Sequence, residues 1–156
     1  PAFLDRLTTG NVCGLKKGGV IYTLLCNTQG GAVDDLLIYA LPDSRYMLIV
    51  NAANIEKDFA WLDSHRSNAA VLVDKSGEYS ILALQGPRSI EILDNLCERK
   101  FSAMSPFTIE ENAICGAKFL ISRTLNCAKH GLFIRYLWKL RQIMLLLIGK
   151  QKITNG

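Results

Sequence analysis

Three consecutive apolar segments separated by short polar turns constrain the fold of this chain most strongly. They read GVIYTLLC at 19–26, DLLIYAL at 35–41 and RYMLIVNA at 45–52. Segments of this length, rich in branched and aromatic residues, are typical of strands, and their short connections predict an antiparallel meander. Because apolar residues occupy successive positions rather than alternate ones, we expect helices or another sheet to cover each face.

Three helices are expected around these strands. AFLDRL at 2–7 is amphipathic, IEKDFAWLDSH at 55–65 follows Asn54 as a candidate N-cap, and Gly86 with Pro87 opens PRSIEILDNLC. The residues expected to face the core are Ala2, Phe3, Leu7, Ile55, Phe59, Leu62, Ile90, Leu93 and Leu96.

Further strands are expected from AAVLVDK and YSILALQ on either side of SGE, and from FTIEENAICGAKFLISRT, a hairpin that turns near Cys115 and Gly116. The order is strands, helix, strands, helix, strands, with hairpins in place of long crossovers. This order predicts an α+β fold with mostly antiparallel sheets covered by helices.

The charge of the chain is distributed unevenly. Residues 1–123 carry 12 Lys or Arg and 14 Asp or Glu, whereas the remainder carries six basic and no acidic residues. The overall basic balance therefore belongs to the tail, and no nucleic-acid partner is expected. PAFLDRLTTG at the start has charged residues where a secretory signal would be apolar.

The cysteines indicate a reducing compartment rather than a disulfide framework. There are five, Cys13, Cys26, Cys97, Cys115 and Cys127, with no C-x-x-C pair, and the chain has two histidines. A Cys/His zinc site is therefore not expected. We interpret the cysteines as small buried hydrophobic residues.

Polar residues stand in apolar surroundings at two places. In GGAVDDLLIY, Gly30 and Gly31 permit an unusual backbone path before Asp34 and Asp35, and adjacent strand residues point to opposite faces, so one carboxylate alone can enter a given pocket. That carboxylate either meets a ligand or satisfies local turn amides.

The second place is VNAAN, where Asn51 either orients a ligand or caps its own turn. Tyr22 and Tyr39 are core aromatics by default, and each also offers a ring for stacking and a hydroxyl group.

Several blocks of the chain together resemble the aminomethyltransferase of the glycine cleavage system, its T protein. They are GGVIYTLLCNTQGGAVDDLLIYAL, RYMLIVNAANIEKDFAWL, LALQGP and ISRT, and the similarity runs from Pro1 to Thr124. The resemblance implies a folate-binding domain that lacks the family's remaining parts: a partial folate-binding region at 1–124, followed by a tail at 125–156 that does not match.

The resemblance also implies an activity. Family members take the aminomethyl group from the lipoyl arm of H protein, release ammonia and yield methylenetetrahydrofolate, with tetrahydrofolate as acceptor and no metal. It implies that Asp35, rather than Asp34, lies at the folate nitrogen that receives the carbon, and that Tyr22, Tyr39 and Asn51 line the folate pocket. The implied location is the bacterial cytoplasm or the mitochondrial matrix.

The family pattern breaks after Thr124. Where family members continue S-R-T-G-Y-T-G-E-D-G-F-E, this chain reads SRTLNCAKHGLF, so that Asn126 replaces a folate-contacting Tyr and Phe133 replaces the Glu that binds the pterin. The resemblance thus predicts an incomplete folate site and an impaired enzyme.

Two hypotheses explain the tail. One is a shift of reading frame near codon 124, which the coding DNA would reveal. The other is a diverged tail in which LFIRYLWKLRQIMLLLI forms an interfacial membrane helix, with Arg135, Lys139 and Gln142 on one face. The alternative function is accordingly a non-catalytic folate-binding or membrane-associating module.

Overall fold

A computed structural model describes residues 1–67, 70–97, 99–114, 117–124, 131–136 and 145–149, the last two ranges as backbone. Its three α-helices within these ranges are α1 (Ala2–Leu7), α2 (Ile55–Ser64) and α3 (Ser89–Leu96). Its strands are β1 (Val20–Cys26), β2 (Ala32–Ala40), β3 (Tyr46–Ile49), β4 (Val71–Asp74), β5 (Ser80–Gln85), β6 (Thr108–Ile114), β7 (Ala117–Arg123), β8 (Gly131–Tyr136) and β9 (Leu145–Gly149).

The described strands form two antiparallel sheets. The first has the order β1-β2-β3-β9-β4, and the second has the order β5-β8-β7-β6. The predicted meander is confirmed as β1-β2-β3, and the predicted final hairpin is confirmed as β6 and β7. The strands on either side of SGE do not pair with each other, because β4 belongs to the first sheet and β5 to the second.

The register of the meander places its residues on two faces. Tyr22 pairs with Leu37, and Leu24 pairs with Asp35, so these residues share one face. We call this face of the first sheet the inner face, because its end near Tyr39 packs against the second sheet. Asp34 points to the opposite face, which the helices cover and which we call the helix face.

Helices α1 and α2 cover the helix face of the first sheet. The buried side chains of this core include Leu4 and Leu7 from α1, Leu36 and Ile38 from β2, and Leu62 from α2. Full burial of a leucine or isoleucine contributes roughly 1.5 to 3 kcal/mol, so this layer holds the meander and α2 together. The expected cover by helices is therefore present on this face.

The prediction of which helix residues face the core is correct in part. Phe3, Leu7, Ile55, Phe59, Leu62, Ile90 and Leu93 are buried or partly buried. Ala2 is exposed and Leu96 is 50% exposed, so both expectations are wrong. In α3 the buried line runs through Ser89, Leu93 and Cys97 instead, because a helix buries residues four apart along one line.

The tail contributes strands to both sheets. β8 pairs with β5 and β7, and β9 lies between β3 and β4. The interfacial helix considered for residues 132–148 is therefore wrong for 132–136 and 145–148, while the intervening residues lie outside the described ranges. Among the described residues, no helix has the length and apolar character needed to cross a membrane.

The cysteine interpretation holds for one described residue. Cys97 is buried, Cys26 is half-buried and Cys13 is exposed. Cys13 lies in the turn-rich connection between α1 and β1, so its predicted burial is wrong. Cys115 and Cys127 lie outside the described residues.

Candidate functional site

The turn between β1 and β2 brings the two adjacent carboxylates to the end of the meander. Gly30 adopts a positive φ of 81°, a conformation that favours glycine and gives this glycine the unusual path expected from the sequence. The side-chain carbonyl oxygen of Asn27 accepts hydrogen bonds from the backbone N–H groups of Gln29 and Gly31, at 3.0 Å and 2.8 Å. The turn is therefore closed by Asn27, and neither Asp34 nor Asp35 is used to build it.

Asp35 lies on the inner face and accepts a hydrogen bond from Tyr22. The Tyr22 hydroxyl donates to Asp35 Oδ2 at 3.0 Å. This bond, with slight burial and the nearby charges of Asp35 and Asp34, raises the pKa of Tyr22 above its ordinary value. The phenol therefore stays protonated near neutral pH and acts as a donor to the carboxylate.

Asn51 links the two carboxylates. Its side-chain amide nitrogen lies 2.9 Å from Asp34 Oδ1 and 3.1 Å from Asp35 Oδ1, and donates to both. Asn51 is exposed and immediately follows the meander. Of the two interpretations open from the sequence, the structure shows the side chain directed at carboxylates rather than at its own turn.

Asp34 lies on the helix face, in an environment unlike that of Asp35. Asn54, at the N-cap position of α2, caps no backbone group with its side chain and donates instead to Asp34 Oδ2 at 3.0 Å. Burial alone would raise the pKa of Asp34, but hydrogen bonds from Asp58, Asn51 and Asn54 together hold that pKa below its ordinary value.

Asp58 is a buried carboxyl group that the sequence analysis did not single out. It is 0% exposed on α2, and burial, then the hydrogen bond and the charge of Asp34, raise its pKa from 3.8 to about 7, with a smaller opposing effect of Lys57. The sequence does carry a signal for it, since Asp58 stands between Ile55 and Leu62 at i+3 on the buried stripe of the helix.

The pKa of Asp58 leads to a prediction for stability. Between about pH 4 and about pH 7 the folded chain binds more protons than the unfolded chain, so the free energy of unfolding should fall as pH rises through this window and level off above it. The lowered pKa of Asp34 acts in the opposite direction at more acidic pH. Urea unfolding at about pH 5 and about pH 8 measures the change.

The Asp58→Asn variant separates this effect from other titrations. Between these two pH values, the free energy of unfolding of the variant should fall by about 1 to 3 kcal/mol less than that of the wild type, because an amide does not ionise. Asp63→Asn, on the same helix but exposed and paired with Arg66, is the matched control and should behave like the wild type. Equal pH dependence in all three proteins would contradict the prediction.

Tyr39 is separated from the other three predicted site residues. It is 0% exposed, packs with Met47 and Ile109 between the sheets, and places its hydroxyl 3.4 Å from Ser122 Oγ. Four residues along a strand span about 13 Å, so Tyr39 shares the inner face with Asp35 without contacting it. The structure thus brings together Tyr22, Asp35 and Asn51, whereas Tyr39 is a buried residue between the sheets.

The inner face is open around Asp35. Tyr22 is 52% exposed and its neighbour Leu24 is 39% exposed. A cavity of about 370 Å³ lies at the opposite end of the meander, with walls that include Leu41, Arg45, Met47, Tyr79 and Phe119. The arrangement at Asp35 therefore offers an aromatic ring, apolar side chains and a carboxylate to a ligand from one side.

Two further positions of the predicted folate site have no described side chain. Asn126 lies outside the described residues, and Phe133 falls on β8, where the structure describes backbone. Within the described residues there is no group of three or more His, Cys, Asp or Glu side chains placed to hold a metal ion.

Comparison with known proteins gives a consistent result. The family model described as "GCVT N-terminal domain" matches residues 1–131. The chain is 46% identical over 130 residues to an aminomethyltransferase of Geobacillus thermodenitrificans, and 45% identical over 131 residues to that of Bacillus subtilis. Each alignment covers 83% of this chain and 36% of the relative, so the chain spans about a third of the length of these relatives.

A solved structure shows the same likeness in three dimensions. The glycine cleavage system aminomethyltransferase T from Bartonella henselae superposes with a TM-score of 0.70 and 26% identity, over 86% of this chain and 36% of that chain. The α+β fold is therefore the one seen in that enzyme. By its matching family model, its relatives and its fold, the chain belongs to the aminomethyltransferase family of the glycine cleavage T protein, within the GCVT N-terminal domain.

Proposed function

We propose that this chain is part of the folate-binding region of an aminomethyltransferase. In this proposal the complete protein transfers a methylene group from aminomethyl-lipoyl H protein to tetrahydrofolate and releases ammonia. Membership of the family supports the type of reaction. The observation that carries the assignment of the site is the position of Asp35, on the open inner face with hydrogen-bond donors at both carboxylate oxygens.

The geometry suits a carboxylate that receives a nitrogen-bound proton or stabilises positive charge on nitrogen. Tyr22 donates to Oδ2 and Asn51 donates to Oδ1, so the plane of the Asp35 carboxylate is held from two sides. Each carboxylate oxygen has two lone pairs, so each retains one for a ligand N–H. A base or charge-stabilising group held in this way needs little reorganisation when the nitrogen reacts.

Tyr22 has a second role in this proposal. Its ring is half-exposed beside Leu24, on the same face as Asp35. An exposed ring gives a flat apolar surface on which a pterin can stack, and stacking on an aromatic ring contributes roughly 0.5 to 1.5 kcal/mol beyond area burial. Tyr39 would act indirectly, by filling the space between the sheets beneath this surface.

The site of this chain is proposed to be incomplete. Family members carry a Glu that binds the amino-pyrimidine edge of the pterin, and the corresponding residue here is Phe133. Phenylalanine accepts no hydrogen bond, so the donors of the pterin lose their partner. Tetrahydrofolate should therefore bind weakly, and transfer should be impaired.

Calorimetric titration with tetrahydrofolate tests this proposal. Two proteins are compared: this chain, and a protein in which the GYTGEDGFE block and the C-terminal domains of the relatives are restored after Thr124. A charged hydrogen bond of this kind contributes about 1 to 3 kcal/mol, so the restored protein should bind roughly 5 to 150 times more tightly. Equally tight binding by both proteins would overturn the incomplete-site proposal, and absence of binding by the restored protein would overturn the folate assignment.

The partner and the location follow from the same proposal. The partner is a lipoylated H protein, since the family's reaction begins on a lipoyl arm. The relatives compared here are bacterial proteins, which supports the cytoplasm as the location among the two that the resemblance implies.

A further inference from the structure

Asp58 is a buried acidic residue to which the proposed reaction assigns no role. It lies on the first turn of α2 and is close to Asp34 of β2. Its side chain is 0% exposed, and as a carboxylate neither of its oxygens has a hydrogen-bond donor within reach. A buried charge without a donor is costly, so the group needs a different protonation state.

The neighbours of Asp58 show which state that is. The charged groups that face it are Asp34 from β2 and Lys57 from its own helix. The Lys57 ammonium lies 3.5 Å from Asp58 Oδ1, too far for a good hydrogen bond, and donates to the carbonyl oxygen of Val33 at 2.7 Å. Lys57 is also half-exposed, so solvent weakens its attraction for Asp58.

Asp34 and Asp58 lie close enough for each to shift the pKa of the other, although neither oxygen of Asp58 has a hydrogen-bond partner as a carboxylate. Two carboxylates both accept, so a hydrogen bond between them requires that one of them carries a proton. Asp34 already accepts from Asn51 at Oδ1 and from Asn54 at Oδ2, which favours its charged form. Of the two groups, Asp58 is the one whose protonated form is favoured, because it is fully buried and has no donor for a charged carboxylate.

We propose that Asp58, as a neutral carboxyl group, is a positioning residue for Asp35. It donates to Asp34, Asp34 holds the amide of Asn51, and Asn51 donates to Asp35 Oδ1, which forms a continuous chain from the interior of the helix layer to the inner face. This role rests on the proposed function, in which Asp35 is the carboxylate that meets the reacting nitrogen. Asp58 itself touches no part of the open surface.

The physical reason for such a chain is the weak attachment of Asn51. Asn51 is exposed, so packing does not fix its side chain. Its amide is instead held by the 2.9 Å bond to Asp34 and the 3.1 Å bond to Asp35. Loss of the proton from Asp58 would place a second negative charge against Asp34, and the repulsion would move Asp34 and with it the amide that orients Asp35.

Nuclear magnetic resonance of this chain tests the proposal without any ligand. The signals followed are the side-chain carboxyl carbons of Asp58 and Asp35 and the side-chain amide of Asn51. In the wild type, the Asn51 and Asp35 signals should shift together with the titration of Asp58 near neutral pH. In Asp58→Asn, which keeps a donor toward Asp34 but cannot ionise, this shift should be lost, whereas the control Asp63→Asn should retain it.

Titration of the same proteins with tetrahydrofolate provides the second readout. At about pH 5 we expect Asp58→Ala to weaken binding by about tenfold, the equivalent of 1.4 kcal/mol, and Asp58→Asn to bind within about twofold of the wild type. At about pH 8 the wild type should bind more weakly, whereas Asp58→Asn should keep its affinity. Rescue by the asparagine is not expected of a residue that merely fills space. If Asp58→Ala does not fold, the comparison of wild type with Asp58→Asn over pH decides alone.

The outcomes separate the two proposals. Titration of Asp58 near its ordinary value, or an unchanged Asn51 shift in Asp58→Asn, would overturn the positioning role whether or not folate binds. Failure of the chain with the restored block to bind tetrahydrofolate, while the Asn51 and Asp35 signals still follow Asp58, would overturn the proposed function and leave the linkage of Asp58 to Asp35 established.

Discussion

Replacing Asp35 with asparagine is expected to lower the rate of tetrahydrofolate-dependent transfer by about 100-fold to 10,000-fold, the range typical of a positioned general base or acid. The reason is that asparagine cannot take up a proton and bears no charge to stabilise a cationic nitrogen. Its amide would also present a donor toward Tyr22 or Asn51, which both donate to this position. The rate is measured with aminomethyl-lipoyl H protein, in a chimera that joins residues 1–124 to the GYTGEDGFE block and the C-terminal domains of a relative.

A matched variant controls for the loss of one negative charge. Asp43→Asn removes an exposed aspartate at the β2–β3 turn, where Asp43 pairs with Arg45 at the opposite end of the meander from Asp35. We expect its rate to stay within about twofold of the unmodified protein, because exposed ion pairs contribute little. If Asp35→Asn and Asp43→Asn have similar rates, then Asp35 is not the carboxylate that acts on the reacting nitrogen.

Truncating Leu62 to alanine is expected to destabilise the chain by about 2 to 5 kcal/mol. Leu62 is 0% exposed and packs from α2 into the core beneath the meander. The loss combines the missing transfer free energy of the side chain with the cavity that remains, since the sheet cannot collapse fully onto the helix. Urea unfolding at a fixed pH measures it, with the midpoint and the slope reported separately.

Leu82→Ala is the matched control for this truncation. The same atoms are removed, but Leu82 is 59% exposed on β5. We therefore expect a change within about 0.5 kcal/mol, as for most surface substitutions. Similar losses at both positions would mean that α2 does not cover the first sheet in the way described.

Local patterns predicted much of the framework. The meander could be predicted because its apolar runs and short polar turns are adjacent in sequence, and turn length restricts how such strands pair. Helix faces were predicted less well. Leu96 is exposed and Cys97 is buried at the end of α3, because helical spacing alone does not say which line of residues meets the neighbouring strand.

The candidate site shows the same division. Strand alternation predicted that Asp34 and Asp35 face opposite sides, and the structure places them so. The family resemblance, rather than the residues themselves, selected Asp35 of the two. The sequence could not show that Tyr39 lies buried beside Ser122, because that contact joins strands of different sheets that are remote in the chain.

The sequence by itself determined the strands of the meander and the alternation of the two aspartates, since each is a property of neighbouring residues. The tertiary structure alone decided that Asn51 bridges the carboxylates, that burial raises the pKa of Asp58, and that β9 lies between β3 and β4. These features depend on the burial and mutual distance of groups far apart in the chain. Burial and distance, rather than residue type, set the protonation state of an acid.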